Sequence, residues 1–224
     1  MEREMDMAQV SDGKKYGLQD MVKVGCSDCA GCSECCQGME DTVVLDPLDL
    51  YRLTTGLGKS FGDLLDQAFT LGVVDGLVLP KLKIDGDQGR CVFLNDQGRC
   101  RIHAYRPGIC RLFPLGRIYE EDSFWYFLQV HECPRKNKTK VRVRKWIDTP
   151  EPQKYESFVL RWHNFLKKMQ DRAQQAVQEE QKSLALMILK IFYEKSYEKE
   201  TDFYQQFDQR MGEMEEASLC ISMR

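Results

Sequence analysis

Beyond residue 150, apolar residues recur at helical spacing. One stripe consists of Trp162, Phe165, Leu166 and Met169. This periodicity predicts an amphipathic helix, and two Glu-, Gln- and Lys-rich patterns over residues 180–196 and 200–215 predict two more. Such stripes are typical of helices that pack on a core, which we prefer over a partner-binding face.

Before residue 150, the hydrophobic pattern breaks into short elements. Asp46-Pro47 fits an N-cap followed by proline at the first helical position, which predicts a helix through about Leu53. A second helix is predicted from Ser60 to Leu71. Short strands are predicted over residues 43–45, 77–84, 117–119 and 124–130, the last two as a hairpin. The expected fold class is therefore α+β, an irregular cysteine-rich module with short strands followed by C-terminal helices.

The chain divides into four predicted regions. Residues 1–25 form a loose lead-in with a short helix, and residues 26–148 form a metal-binding module. A helical region over residues 151–216 packs on that module, and residues 217–224 form a tail. The boundary near residue 150 is the sequence Asp148-Thr149-Pro150-Glu151-Pro152, because proline and turn residues cluster there.

Composition narrows the class of protein. The 224 residues are enough to bury one core. The formal net charge of −3 argues against a general polyanion binder, although a local basic patch remains possible. The first residues lack the apolar segment of a secretory signal, and no run approaches the length of a membrane span. We expect a soluble, cytoplasmic protein without membrane contact.

Ten cysteines stand out, nine of them between Cys26 and Cys133. In a reducing compartment, clustered cysteines are more typical of metal ligands than of disulfides. Cys220 stands alone near the end of the chain and is expected to be a free thiol.

The first cysteine run admits two ligand registers. One, with C-x2-C-x2-C-x3-C spacing as in bacterial ferredoxins, uses Cys26, Cys29, Cys32 and Cys36. The other, with C-x2-C-x2-C-C spacing, uses Cys29, Cys32, Cys35 and Cys36. The adjacent Cys35 and Cys36 are expected to bind different metals or to bridge two.

Four further cysteines follow turns. The sequence Asp-Gln-Gly-Arg-Cys occurs twice, ending at Cys91 and at Cys100, and glycine permits the tight bend before each cysteine. Cys110 lies in a short helix that opens at Arg106-Pro107 and stops at Pro114, and Cys133 follows the hairpin. Eight ligands suit two four-ligand sites or one polynuclear cluster.

These motifs resemble the CxxCxxCC cysteine-cluster family (YkgJ-like). The resemblance rests on Cys29-x2-Cys32-x2-Cys35-Cys36, Cys100, Arg106-Pro107, Cys110-Arg111, Phe113-Pro114 and Cys133-Pro134. It covers residues 26 to 134 and implies zinc or iron chelation by Cys29, Cys32, Cys35, Cys36, Cys91, Cys100, Cys110 and Cys133. The family includes flagellin lysine N-methylase as a larger relative. Here Cys26 is an additional cysteine, and His103 is a ninth candidate ligand at a position that is often aromatic.

The cofactor is expected to be an iron–sulfur cluster, 4Fe-4S in type, or zinc. An all-cysteine set with a ferredoxin-like run favours iron–sulfur, although four thiolates also suit zinc. Arg106 and Arg111 are expected to offset the negative charge of the thiolates. His131 is a further candidate near Cys133, but a structural role is preferred for it and for His163.

Three functions remain open at this point. The first is a metal-binding protein with an electron-transfer, sensing or metal-handling role. The second is a protein-modifying enzyme related to the lysine methylase, which rests on the resemblance alone. The third is a metal-stapled adaptor that binds a protein partner through its helices. The sequence does not decide whether the protein is an enzyme.

A basic run extends from Arg135 to Trp146, with Lys138, Lys140, Arg142 and Arg144 on one face of a predicted strand. Such a face could bind a phosphate backbone. An edge strand protected by charge explains the run equally, and this interpretation is preferred, so nucleic acid is not expected as a partner.

Overall fold

The computed structural model of the protein describes residues 6–26, 32–38, 42–85 and 89–222. Within these residues, every sheet consists of two strands. All four pairs are antiparallel. They are β1 (Met21–Gly25) with β8 (Thr139–Arg142), β2 (Phe69–Val74) with β3 (Leu77–Leu82), β4 (Ile84–Asp85) with β5 (Arg90–Cys91), and β6 (Leu115–Tyr119) with β7 (Phe124–Leu128). With the helices around them, these strands confirm an α+β fold.

Short helices alternate with the strands, and long helices follow them. The short ones are α1 (Met7–Val10), α2 (Pro47–Leu57), α3 (Phe61–Leu64), α4 (Gly108–Leu112) and α5 (Val143–Trp146). The long ones are α6 (Pro152–Gln175), α7 (Gln178–Leu189) and α8 (Phe203–Ser222), and a π-helical turn, Lys190–Glu194, extends α7. The prediction of three C-terminal helices is confirmed.

One apolar core joins the cysteine-rich part to these helices. The fully buried side chains include Leu45 and Leu53 around α2, Phe69 on β2, and Phe192 and Phe207 in the C-terminal part. Trp162 packs against Phe165, Phe192 and Phe207. Because the same cluster contains residues from Tyr16 to Met214, the cysteine-rich part is held by apolar packing as well as by any metal.

The helix predicted from Ser60 to Leu71 is wrong in its second half. Ser60 caps α3 in a capping box with Asp63, but α3 ends at Leu64 and β2 begins at Phe69. The reason is the turn at Asp75-Gly76, where both residues have positive φ and join β2 to β3 as a hairpin. Pairing with β3 outweighs the helical pattern.

Three other sequence predictions need correction. Residues 43–45 form only an isolated bridge, between Val44 and Lys81, rather than a strand. The lead-in contains β1, which the sequence pattern does not indicate. Arg144 lies in α5 and not on the strand that carries Lys140 and Arg142.

Within the described ranges, no helix combines the length and the apolar composition that are needed to cross a lipid bilayer.

Candidate metal centre

The loop at residues 32–38 presents two adjacent thiols. A short 3-10 turn, Glu34–Cys36, forms there because the Cys36 amide donates to the Ser33 carbonyl at 2.9 Å. The Gln37 amide group also donates to the Ser33 hydroxyl at 2.7 Å. The Sγ atoms of Cys35 and Cys36 lie 3.9 Å apart. Two thiolates on one tetrahedral ion, each about 2.3 Å from it, lie about 3.8 Å apart, so this separation suits a shared ion.

Gly89 and Gly98, one from each Asp-Gln-Gly-Arg-Cys repeat, lie against this loop. Both glycines have positive φ, as the sequence predicted. A Cβ atom on Gly98 would lie 3.5 Å from the Ser33 hydroxyl oxygen, and one on Gly89 would lie 3.4 Å from the Cα of Gly38. The loop and the repeat therefore fold onto each other, although they are distant in the sequence.

The turn that carries Cys110 is held by a buried carboxylate. Asp49 Oδ1 accepts a hydrogen bond from the Gly108 amide at 2.6 Å, and Asp49 is only 2% exposed. Asp49 also completes the capping box of α2 with Asp46. Sequence reasoning missed this role of Asp49, because the contact spans 59 residues. The capping pattern of Asp46 and Asp49 is a local signal that gives no indication of Gly108.

Arg111 organises the backbone around the turn. Its guanidinium donates to the carbonyls of Arg106, Ala104 and Asp148, and it pairs with the Asp148 carboxylate at 3.3 Å. Arg111 is nearly buried, so these bonds replace those that it would make with water. These contacts give Arg111 a structural role, in which it holds the backbone segments around α4 together.

Arg106 is a cation that acts on two of the thiols. Its positive charge contributes, after the hydrogen bond with Cys36, to the lowered pKa of Cys35, and together with Arg101 it opposes the rise that burial causes in the pKa of Cys100. Its NH1 atom lies 2.9 Å from His103 Nε2, and its buried Nε has no hydrogen-bond partner among the described residues. Burial, with Arg106 and Arg111, lowers the pKa of His103, so the neutral imidazole is favoured.

Five thiols influence one another electrostatically. Burial raises the pKa values of Cys91, Cys100 and Cys110, and neighbouring thiols raise them further. The hydrogen bond with Cys36 lowers the pKa of Cys35 to about 7, whereas the pKa of Cys36 is raised. We call this group the inner cluster, and it consists of Cys35, Cys36, Cys91, Cys100 and Cys110. Its members come from three separate segments of the chain.

The remaining predicted ligands are not among the five thiols of the inner cluster. Cys26 directly follows β1, whose Gly25 pairs with Thr139. The neighbouring Lys138 donates to the carbonyl of Cys133 at 2.8 Å, which places Cys133 at the same end of the β1–β8 pair. Cys32 is half-buried in the loop. Cys29 lies outside the described residues, and so does the side chain of Cys220.

The chemistry of the cysteine side chains suits a thiophilic metal, although the sulfur atoms that the structure describes are not arranged around one point. Among the described residues, no three Cys, His, Asp or Glu side chains are arranged to hold an ion. The chemistry nevertheless suits zinc or iron, because five half-buried or buried thiols lie beside a guanidinium that stabilises thiolates. The 3.9 Å separation of the Cys35 and Cys36 sulfurs agrees with this.

A comparison with known families matches residues 28–134 to the model named CxxCxxCC, described as "Putative zinc- or iron-chelating domain". The match begins beside Cys29 and ends just after Cys133. Neither the curated proteins nor the solved structures that were compared give a match. A relation to flagellin lysine N-methylase is not shown.

Proposed function

Because residues 28–134 of this chain belong to the CxxCxxCC family, we propose that they bind zinc or iron through cysteine thiolates. The observation that carries the proposal is the 3.9 Å separation of the Cys35 and Cys36 sulfurs, which suits two thiolates on one ion. Gly98 beside Ser33 and Gly89 beside Gly38 bring the segments of Cys100 and Cys91 against the same loop.

The proposed ligands divide into two groups of neighbours. The inner cluster supplies a first site, with Cys35 and Cys36 on the same ion because of their separation. The other cysteines, Cys26, Cys29, Cys32 and Cys133, would supply a second site at the end of the β1–β8 pair. This division uses every cysteine from Cys26 to Cys133 and allows either one ion or one cluster in each group.

The two groups favour different metals. In the second group, the C-x2-C-x2-C spacing of Cys26, Cys29 and Cys32 is the start of a ferredoxin-like run and supports an iron–sulfur cluster, with Cys133 in place of the fourth cysteine of that run. Two thiolates on different irons of a cluster lie farther apart than two on one ion, so the Cys35–Cys36 pair supports a single tetrahedral zinc or iron in the inner cluster.

The proposed role is electron transfer, sensing or metal handling. Four thiolates on one ion leave no open position for a substrate, whereas catalytic zinc sites keep one. The proposal also requires a reducing compartment such as the cytoplasm, because oxidised cysteines could not bind the metal.

The test is anaerobic purification of the full chain, followed by measurement of zinc, iron and acid-labile sulfide. We expect at least one zinc or iron per chain, with sulfide present only where a cluster is bound. Cys110→Ser should lower the metal content by about one site, and the matched control Cys220→Ser should leave it unchanged. Protein that is folded by circular dichroism but contains no stoichiometric metal would overturn the proposal.

A further inference from the structure

A second chemical feature lies beside the metal centre. Residues 133–147 contain no acidic residue and seven basic ones, in a chain whose net charge is −3. These are Arg135, Lys136, Lys138, Lys140, Arg142, Arg144 and Lys145. The rest of the chain carries 25 basic and 35 acidic residues, a formal net charge of −10, so residues 133–147 form a locally basic segment in an acidic chain.

The structure places much of this charge on the outer face of the β1–β8 pair. Val22 faces Val141 across the strands on the inner side, where Val22 is buried. On the outer side Lys23 faces Lys140, and both are exposed. We call these cations the basic ribbon: Lys23, Lys140 and Arg142 lie on this face, and the exposed Lys136, Arg144 and Lys145 flank β8 in the sequence, the last two in α5.

Fold stability does not account for the basic ribbon. In the part of the chain that the structure describes, none of its six members makes an ion pair. Lys23 and Lys140 stand directly opposite each other, and like charges in such a pair destabilise a sheet. Protection of an edge strand accounts for charges on β8, but it does not account for a lysine directly opposite on β1, with which β8 is already paired.

The metal centre does not account for the ribbon either. The cations that act on the pKa values of Cys35 and Cys100 are Arg106 and Arg101, which belong to the segment around Cys100 rather than to β1 or β8. The basic residue that bonds to Cys133, at the second proposed site, is Lys138, which is not a member of the ribbon.

We propose that the basic ribbon binds the phosphate backbone of nucleic acid. Alternate residues along a strand lie about 6.6–6.8 Å apart, so Lys140 and Arg142 on β8, with Lys23 opposite on β1, present closely spaced cations to a linear polyanion. Contacts between these side chains and phosphates carry no base-sequence information, so binding is expected to be independent of sequence. A membrane surface fits less well, since Met21 is the one large apolar side chain on the outer face of β1 and β8.

The test measures binding of the metal-loaded full chain to fluorescein-labelled 30-nucleotide single strands and duplexes by anisotropy, from 50 to 200 mM salt. The variant Lys23→Gln/Lys140→Gln/Arg142→Gln should bind about tenfold more weakly at the lowest salt. Its salt dependence should be shallower by about 2 in log–log slope on single strands, because three phosphate contacts are lost. Its melting temperature should equal or exceed that of the wild type, because the Lys23–Lys140 repulsion is removed.

The matched control is Lys168→Gln/Lys190→Gln/Lys199→Gln, which removes the same charge from exposed positions of the C-terminal part. It should bind as the wild type does. Absence of wild-type binding at 50 mM salt, or equal weakening by both variants, would overturn the proposal. So would ribbon-dependent binding to phosphatidylserine vesicles without binding to nucleic acid. Metal content is measured on each variant, so failure here is distinguishable from failure of the metal site.

Discussion

Gly108 shows how single residues fix the position of Cys110. A Cβ atom on Gly108 would lie 2.8 Å from the Tyr155 hydroxyl, and its amide is already held by the Asp49 carboxylate. Tyr155 in turn accepts a hydrogen bond from Arg117 at 2.7 Å, so the hydroxyl cannot move away freely. The α4 turn is therefore locked from two sides just before its thiol.

Gly108→Ala should destabilise the protein by about 1–3 kcal/mol, because the added methyl group overpacks this buried contact. The measurement is urea unfolding followed by circular dichroism. Gly212→Ala is the matched control, since Gly212 lies in α8 with nothing within 4 Å of the added carbon. It should be neutral or stabilise by up to about 1 kcal/mol through helix propensity. Equal effects of the two substitutions would show that packing at Gly108 is not tight.

At the scale of single residues, the sequence identifies the candidate metal ligands better than the residues that hold those ligands in position. The cysteine spacing and the turn glycines Gly89 and Gly98 are local signals, and the structure agrees with the positive φ that the turns require. The roles of Asp49 and Arg111 depend on contacts 59 and 37 residues away, which no local pattern contains.

Among the elements, α2 matches its prediction most closely at the N-terminus. Asp46 is its N-cap, Pro47 follows at the first helical position, and Asp49 completes the capping box. Local chemistry decides a helix start, so the sequence is sufficient. For β1 and β2 it is not, because each depends on a partner strand, and for β1 that partner lies more than 100 residues away.

The capping box of α2 also predicts that the stability of the fold depends on pH. Burial and the nearby Asp49 charge raise the pKa of Asp46 to about 7, above its ordinary value of 3.8. A raised carboxyl pKa means that the folded state binds more protons, so stability falls as the pH rises from about 4 to about 7. Asp46→Asn keeps the cap but cannot ionise. Relative to the wild type, it should gain about 1 kcal/mol by pH 7.5, measured by thermal unfolding across this range.

Asp63→Asn is the control, because its effect on stability should change with pH in the opposite direction. Hydrogen bonds from Ser60 lower the pKa of Asp63, so its carboxylate stabilises the folded state at neutral pH, and that contribution is lost on acidification through the lowered pKa. This variant should lose stability relative to the wild type as the pH rises through the lowered pKa to about 4, and the difference should then stay constant at higher pH. If both variants showed the same pH trend, the account of the Asp46 environment would be wrong.

At the scale of the whole molecule, the chain has an apolar core that does not require the metal. Leu45, Leu53 and Phe69 from the cysteine-rich part are buried in one cluster with Phe158 and Phe207. The sequence predicted a module tied together largely by metal. The shared core could not be foreseen, because hydrophobic periodicity identifies apolar faces without saying which of them meet.

Removal of the metal should therefore loosen the site and leave the core folded. Hydrogen exchange after chelation should show lost amide protection over residues 32–38 and 89–101, whereas β2, β3 and α6 keep theirs. Cooperative loss of protection along the whole chain would contradict this division of roles.

The most direct test of the central claim is X-ray absorption at the edge of the metal bound to the full chain. Thiolate ligation predicts a first shell of about four sulfur atoms near 2.3 Å, and a nearby metal shell where an iron–sulfur cluster is present. A first shell made of oxygen and nitrogen, or protein that carries no stoichiometric metal, would contradict the account.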